Sequence, residues 1–154
     1  MDDNRPVPRS VVEAFYRAFD TRDGDKIAEF LHDDVEWSVY GPAEIMQVCG
    51  HWRGKAAVID RFARVVPKVI DFKSLERECL LVDGYQSAMM GRVTSRHRGT
   101  GRTISHRTTH FVRYCDDKVI SVRVISDSLD AVEQFSGHRI DLGEGTGRPD
   151  LVAV

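Results

Sequence analysis

The feature that most restricts this chain is a change of period near residue 70. Beyond it, β-branched and aromatic residues fall into four runs near 70–82, 85–98, 102–115 and 118–127. Asp83-Gly84, Arg98-Gly-Thr-Gly101 and Cys115-Asp-Asp-Lys118 separate them, each with the residue types of a tight turn. Connections this short join antiparallel neighbours, so the four runs predict a meander. A meander with one apolar face needs a cover, and the segments that precede it carry helical spacing. Helices first and strands after them give an α+β layout, not the alternating βαβ order of a parallel sheet.

The preceding segments supply that cover. Ser10-Val-Val-Glu13 has the form of a capping box after Pro8, and Val12, Phe15, Tyr16 and Phe19 recur at helical spacing, predicting a helix over 10–21. Asp23-Gly24-Asp25 breaks it, and Ile27, Phe30 and Leu31 mark a short second helix. Val35, Trp37 and Val39 then alternate with Glu36, Ser38 and Tyr40 as a half-buried strand that ends at Gly41-Pro42. Residues 43–54 read as a loop or short strand pair, closed by Gly50-His-Trp-Arg-Gly54. A third helix carries Val58, Ile59, Phe62, Val65 and Val66 on one face and is expected to stop at Pro67. A last helix covers about 128–136. A strongly bent meander wrapped around one long helix makes a cone with an open mouth, a natural ligand cavity.

With 154 residues the chain is expected to form one domain over 1–136, followed by a Gly-rich tail over 137–154, loose or packed on a neighbouring subunit. The G-x-G-x-G spacing of Gly143, Gly145 and Gly147 follows no strand and opens no helix, so it does not read as a phosphate loop. Twenty-two basic and 24 acidic side chains leave a net charge of −2, which favours neither nucleic acid nor an anionic membrane as partner. The arginine-rich stretch from Arg92 to Arg113 lacks interleaved stacking aromatics, and Arg92, Arg107 and Arg113 fall on the sheet face opposite His106 and His110. Cys49, Cys79 and Cys115 are odd in number and outside any CxxC, as expected of reduced thiols in the cytoplasm. The opening MDDNRPVPRS has no signal pattern, and no apolar run approaches transmembrane length.

Four stretches, in this order, carry a family resemblance. They are the first helix running into Asp23-Gly-Asp-Lys-Ile27, His32-Asp-Asp-Val-Glu-Trp37 leading to Gly41-Pro42, Gly50-His-Trp-Arg-Gly-Lys-Ala-Ala-Val58, and Ser126-Asp127 followed by Asp130-Ala-Val-Glu-Gln134. Across residues 9–136 the chain resembles the NTF2-like superfamily and, within it, the SnoaL-like relatives of polyketide cyclases. The resemblance implies three N-terminal helices packed on a strongly curved antiparallel sheet, with a short C-terminal helix. It also implies a homodimer formed through the convex sheet face and a pocket between sheet and helices. Activity is implied less tightly, because such folds host isomerases, cyclases, epoxide hydrolases, dehydratases, adaptors and plain binding proteins.

The site is therefore sought in the register. If Asp116-Asp117 form a two-residue turn, Cys115 faces Lys118, and counting outward Val112 faces Ser121, His110 faces Arg123, Thr108 faces Ile125 and His106 faces Asp127. Met89, Gly91 and Val93 of the neighbouring hairpin fall beside the same row. One face thus collects His106, His110, Arg123 and Asp127 among Thr108, Ile125 and Met89, an apolar wall with a few convergent polar groups. Asp127 opposite an imidazole could orient it for proton transfer, or act as acid or base itself. Because Ser128 and a helical pattern follow, Asp127 is equally a candidate N-cap, and a single β-bulge would turn either histidine to the other face.

The resemblance implies an Asp at the end of this strand acting as general acid/base of a ring closure, with a His nearby; Asp127 matches by position, and His106 and His110 remain alternatives for the His. Steroid isomerases of the superfamily use a first-helix Tyr and two pocket Asp residues; here Val39 stands at the base position and His110 near the second Asp, which argues against that reaction. The Asp-Arg-Asp set of its epoxide hydrolases is matched only in part, by Arg123 and Asp127. Tyr16, Trp37, Tyr40, His51, Trp52 and Phe62 are the aromatic candidates for core or pocket lining, with His51-Trp52 at the expected mouth. No metal is expected, because His106 and His110 on one strand stand roughly 13 Å apart, and no HExxH or CxxC is present. The expected function is a cytoplasmic small-molecule-pocket protein, binding a small, largely apolar compound and acting on it by cofactor-free acid/base chemistry. The alternatives are a binder without turnover and a dimeric adaptor for a protein partner.

Overall fold

The computed structural model of the chain describes residues 5–141 and 143. Helix α1 (Arg9–Thr21) leads into the single-turn α2 (Gly24–Ala28), then β1 (Leu31–Val39) and the short β2 (Gly50–Arg53). A helical stretch follows in three parts: α3 (Lys55–Asp60), a π-helical turn (Arg61–Val65) and α4 (Val66–Val69). Strands β3 (Ile70–Asp83), β4 (Gln86–His97), β5 (Thr103–Cys115) and β6 (Lys118–Ser126) form the expected meander, and α5 (Ser128–Ser136) follows it. The six strands make one sheet in the order β2-β1-β6-β5-β4-β3. Every pair is antiparallel except β1 with β6, which runs parallel.

Alternation along β5 sets the layering. Ile104, His106, Thr108, His110, Val112 and Tyr114 all turn inward and are buried. Val112 and Tyr114 join Val12, Phe15, Tyr16 and Phe19 of α1, together with Val35 and Trp37 of β1, in the larger core. A smaller core of Met46, Cys49, Ile104, Ala131, Val132 and Phe135 sits under α5. The sheet bends where its register slips, twice in β3 and once each in β1 and between β5 and β6. At the β3 slip between Arg77 and Cys79, a side chain on Gly91 would collide with the Glu76 carbonyl, so glycine allows the two backbones to close up.

Two local expectations are corrected. The capping box does not form: α1 starts a residue earlier, Pro8 occupies the N-cap without a side-chain bond, and Arg9 Nε pairs with Glu13 instead. Pro67 does not end the third helix but sits in the first turn of α4, where its missing N–H leaves nothing unsatisfied. The expectation for the tail falls, from residue 144 onward and at residue 142, outside the described residues. Among the described residues no helix is long and apolar enough to cross a membrane.

Candidate functional site

The β5–β6 hairpin decides what the inner wall contains. Asp116 and Asp117 both take positive φ (50° and 60°), the two-residue turn expected, and Cys115 pairs with Lys118 and Tyr114 with Val119. Then β6 carries one extra residue. Arg113 faces Ser121, Val112 faces Val122, Phe111 faces Arg123 and His110 faces Val124. From this bulge onward each β6 side chain lies on the face opposite to the one expected: Val122 and Val124 turn inward, whereas Arg123 and Ile125 point outward and are exposed. Neither Arg123 nor Ile125 lines the cavity, which corrects their placement as ligand-binding residues. Arg107, on the outer face with Arg113, is ion-paired to Glu78 at 3.9 Å.

The same shift moves Asp127. Its N–H donates to the Arg107 carbonyl at 3.0 Å, so it stands opposite Arg107 and not opposite His106. The side chain is exposed, and its Oδ1 accepts from the Asp130 N–H at 3.3 Å as the N-cap of α5. The expected direct pairing of Asp127 with an imidazole is corrected accordingly. Gln134 holds α5 against β5: Ser105 N–H donates to its Oε1 at 2.7 Å, and its Nε2 donates to the Ser105 carbonyl at 2.8 Å and to Asp130 Oδ1 at 2.9 Å.

Between this wall, α1 and the third helical stretch lies a cavity of about 280 Å³, near the lower end for small-molecule sites, roughly 300–1,000 Å³. Of the expected residues, Trp37, Trp52, Phe62, His106, Thr108 and His110 line it. Tyr16 and Met89 sit behind the wall in the core; Tyr16 stacks on His110 with ring centres 6.0 Å apart. Tyr40 lies beyond the end of β1 and is 52% exposed. On β2 alternation turns Trp52 inward and His51 outward, where the His51 imidazole hydrogen-bonds Ser38 Oγ at 2.8 Å. Tyr16, Met89, Tyr40 and His51 are thus corrected from ligand-lining to core or surface positions.

Among the lining residues not anticipated, the charged ones are mainly arginines. Arg22, Arg61 and Arg98 all line the cavity. Arg22 is the αL residue that ends α1 (φ 57°), and its guanidinium lies 4.1 Å from the Phe19 ring centre and 3.4 Å from that of Phe72. A signal existed: Phe15, Phe19 and Arg22 stand at i, i+4 and i+7, so Arg22 prolongs the buried face of α1. The π turn brings Arg61 and Phe62 to the cavity, where Arg61 lies 4.5 Å from the Trp52 ring centre and donates to the Gln47 carbonyl.

The two histidines differ in their surroundings. Burial, with Arg22 and Arg77 adding to it, pushes His110 down to about 3, so it is neutral at every ordinary pH. His106 is also lowered, mainly by burial, but Asp130 and then Asp127 oppose the shift and Arg92 adds to it. Its Nδ1 is buried with no hydrogen-bond partner. A neutral imidazole with an unpartnered ring nitrogen, in a side chain that lines a largely apolar cavity, can accept a proton. Among the described residues no three His, Cys, Asp or Glu side chains are grouped to share a metal ion.

A family model for the SnoaL-like domain matches residues 12–122. Among solved structures, the chain is similar to a candidate isomerase from Rhodopseudomonas palustris, 28% identical with a TM-score of 0.71 over 82% of this chain and 93% of that one. It is also similar to an NTF2-like protein from Burkholderia thailandensis, 21% identical with a TM-score of 0.73 over 84% and 97%. TerC, solved with polyporic acid, is 21% identical with a TM-score of 0.67 over 82% and 96%. The curated proteins include no match.

Proposed function

This chain belongs to the family of SnoaL-like domains, and from that premise we propose that its cavity binds a small, largely apolar molecule and carries out cofactor-free acid/base chemistry on it, with His106 moving the proton. The observation that carries the reading is the His106 Nδ1, buried without a partner in a side chain that lines a largely apolar cavity. A buried polar atom left unpaired costs stability, and its retention beside a ligand-sized space fits a group that the ligand completes. His110 is the neutral polar neighbour that shapes the wall, and Asp127 contributes by capping α5 and by its charge near His106. The naming of one neighbour as a candidate isomerase supports proton-transfer chemistry in the same fold.

The setting is a single domain through residue 136 that works as a cytoplasmic homodimer. The outer face of the sheet supports the dimer: Leu81, Ala88 and Phe111 lie side by side across β3, β4 and β5, with Met90 and Ile125 beside them. Leu81, Met90, Phe111 and Ile125 are each more than 40% exposed, an apolar patch of the kind a partner covers.

The test is proton exchange at carbon. Cyclic ketones and 1,3-dicarbonyl compounds are screened by thermal shift, and binders are followed by NMR for deuterium uptake at the acidic carbon in D2O. Wild type is expected to accelerate uptake, and His106→Gln to lose about 10²–10⁴-fold of that rate, the usual range for a general base. Binding without any uptake would sink the catalytic reading in favour of a binder without turnover.

A further inference from the structure

The cavity's charges are lopsided. Arg22, Arg61 and Arg98 reach it, whereas the lining offers one carboxylate, Asp71, and that is held by Lys73 Nζ at 2.6 Å. Both facing imidazoles, His106 and His110, are lowered by burial. Two of the guanidiniums are incompletely satisfied: the Nε atoms of Arg22 and Arg61 are buried and have no hydrogen-bond partner. Arg98 differs, because its Nε donates to the Pro67 carbonyl at 2.5 Å.

Arg22 is the least compensated. Among the described residues it forms no salt bridge; the neighbouring Asp20 is taken by Arg77, at 2.8 Å. Its guanidinium lies against Phe19 and Phe72 instead. Burial lowers it to about 9, with Asp20 opposing from beyond salt-bridge contact, so it stays protonated at neutral pH without a directly paired anion. A guanidinium left in an apolar site without an anion is costly, and an incoming anion with two oxygens satisfies it well.

We infer that the cavity takes an organic anion: a flat, largely apolar ring system bearing one carboxylate or ionised enol, its oxygens against Arg22. The inference rests on the cavity's being a small-molecule site, as proposed above, and adds the class of molecule. It also orients the ligand. Arg22 lies 4.1 Å from the Phe19 ring, whose centre is 5.6 Å from that of His110, and His106 lies four residues earlier on β5, roughly 13 Å away by strand geometry. The anionic end therefore sits at the His110 end of the cavity, and the reacting carbon at the His106 end.

The probe pair is 2-naphthoate and its neutral isostere 2-naphthamide, with benzoate and benzamide as the smaller pair, measured by calorimetry on the full chain. Wild type is expected to prefer each carboxylate by roughly ten-fold or more, the size of one charge-assisted hydrogen bond. Arg22→Met is expected to erase that preference while the amides bind within about three-fold of wild type. Equal binding of acid and amide by wild type, or tighter binding of 2-naphthylmethylammonium, overturns the anion assignment and leaves the cavity reading intact. If no member of either pair binds while the cyclic ketones or 1,3-dicarbonyl compounds do, the anion inference falls alone; if neither set binds, the cavity reading falls with it. The wild-type preference decides the matter even if Arg22→Met does not fold.

Discussion

The two ends of the inner face of β5 carry the same residue in opposite circumstances. At one end His110 lies among rings, stacked on Tyr16 and edge-on to Phe19 at 5.6 Å, with Arg22 and Arg77 acting on it. At the other end, near α5, Asp130 and Asp127 act on His106 and one of its ring nitrogens is left without a hydrogen-bond partner. Exposure hardly separates them, at 5% and 8%. The sign of the neighbouring charge does: cations at one end add to the effect of burial, and carboxylates at the other oppose it. One strand face thus provides a fixed polar wall and a group able to take a proton.

The largest expected effect breaks this contrast by chemistry. His106→Gln is expected to lose about 10²–10⁴-fold in deuterium exchange, whereas His110→Phe, which keeps a ring against Tyr16, is expected to lose less than about ten-fold. Comparable losses in both variants would show that the two ends act as a unit and that the assignment of the base to His106 is wrong.

The next effect reads the same contrast through stability. The folded state holds His110 far below its unfolded value near 6.5, so between about 6.5 and about 3 the unfolded chain binds a proton that the folded chain refuses. The contribution is fully present above about pH 6.5 and is lost as pH falls, at up to about 1.4 kcal/mol per pH unit. The unfolding free energy of wild type from urea titrations is therefore expected to drop from pH 7 toward pH 4.5, by roughly 3 kcal/mol from this residue. His110→Phe is expected to flatten that slope, and His106→Gln to flatten it less, because carboxylates limit the shift at His106. An unchanged slope in His110→Phe would place the acid sensitivity elsewhere.

What the sequence showed of this contrast, and what it hid, follows from how each feature is encoded. The meander, its turns and the inward alternation of His106, Thr108 and His110 rest on period and turn chemistry, which are local, and they match the structure. The pairing across to β6 rests on counting residues, and one extra residue near Ile120 reverses the face of everything after it. That is why the count puts Arg123, Ile125 and Asp127 in the wrong place, whereas alternation and helical spacing put Trp37, Trp52 and Phe62 at the cavity where they lie. Bulge positions depend on how the curved sheet closes over α1, a tertiary matter with no local signature. Arg22 was hidden for a different reason: arginine at a helix end reads as a surface residue unless the spacing from Phe15 and Phe19 is extended one step past the helix.

The smallest expected effect separates the two things Asp127 does. As N-cap it accepts one long hydrogen bond from the Asp130 N–H, and as a charge it raises the basicity of His106 from an exposed position. Asn is as good a cap as Asp, and Ala is not. Asp127→Asn is therefore expected to leave the urea midpoint nearly unchanged, while Asp127→Ala loses about 1 kcal/mol. Both remove the carboxylate, so in both the NMR titration of His106 is expected to move to lower pH, by less at high salt because the charge is exposed. Exchange activity should fall modestly and equally in the two variants, since a weaker base is still a base. A loss in Asp127→Asn as deep as that of His106→Gln would mean that the carboxylate itself enters the chemistry, and that the cap geometry is not the one in which the protein works.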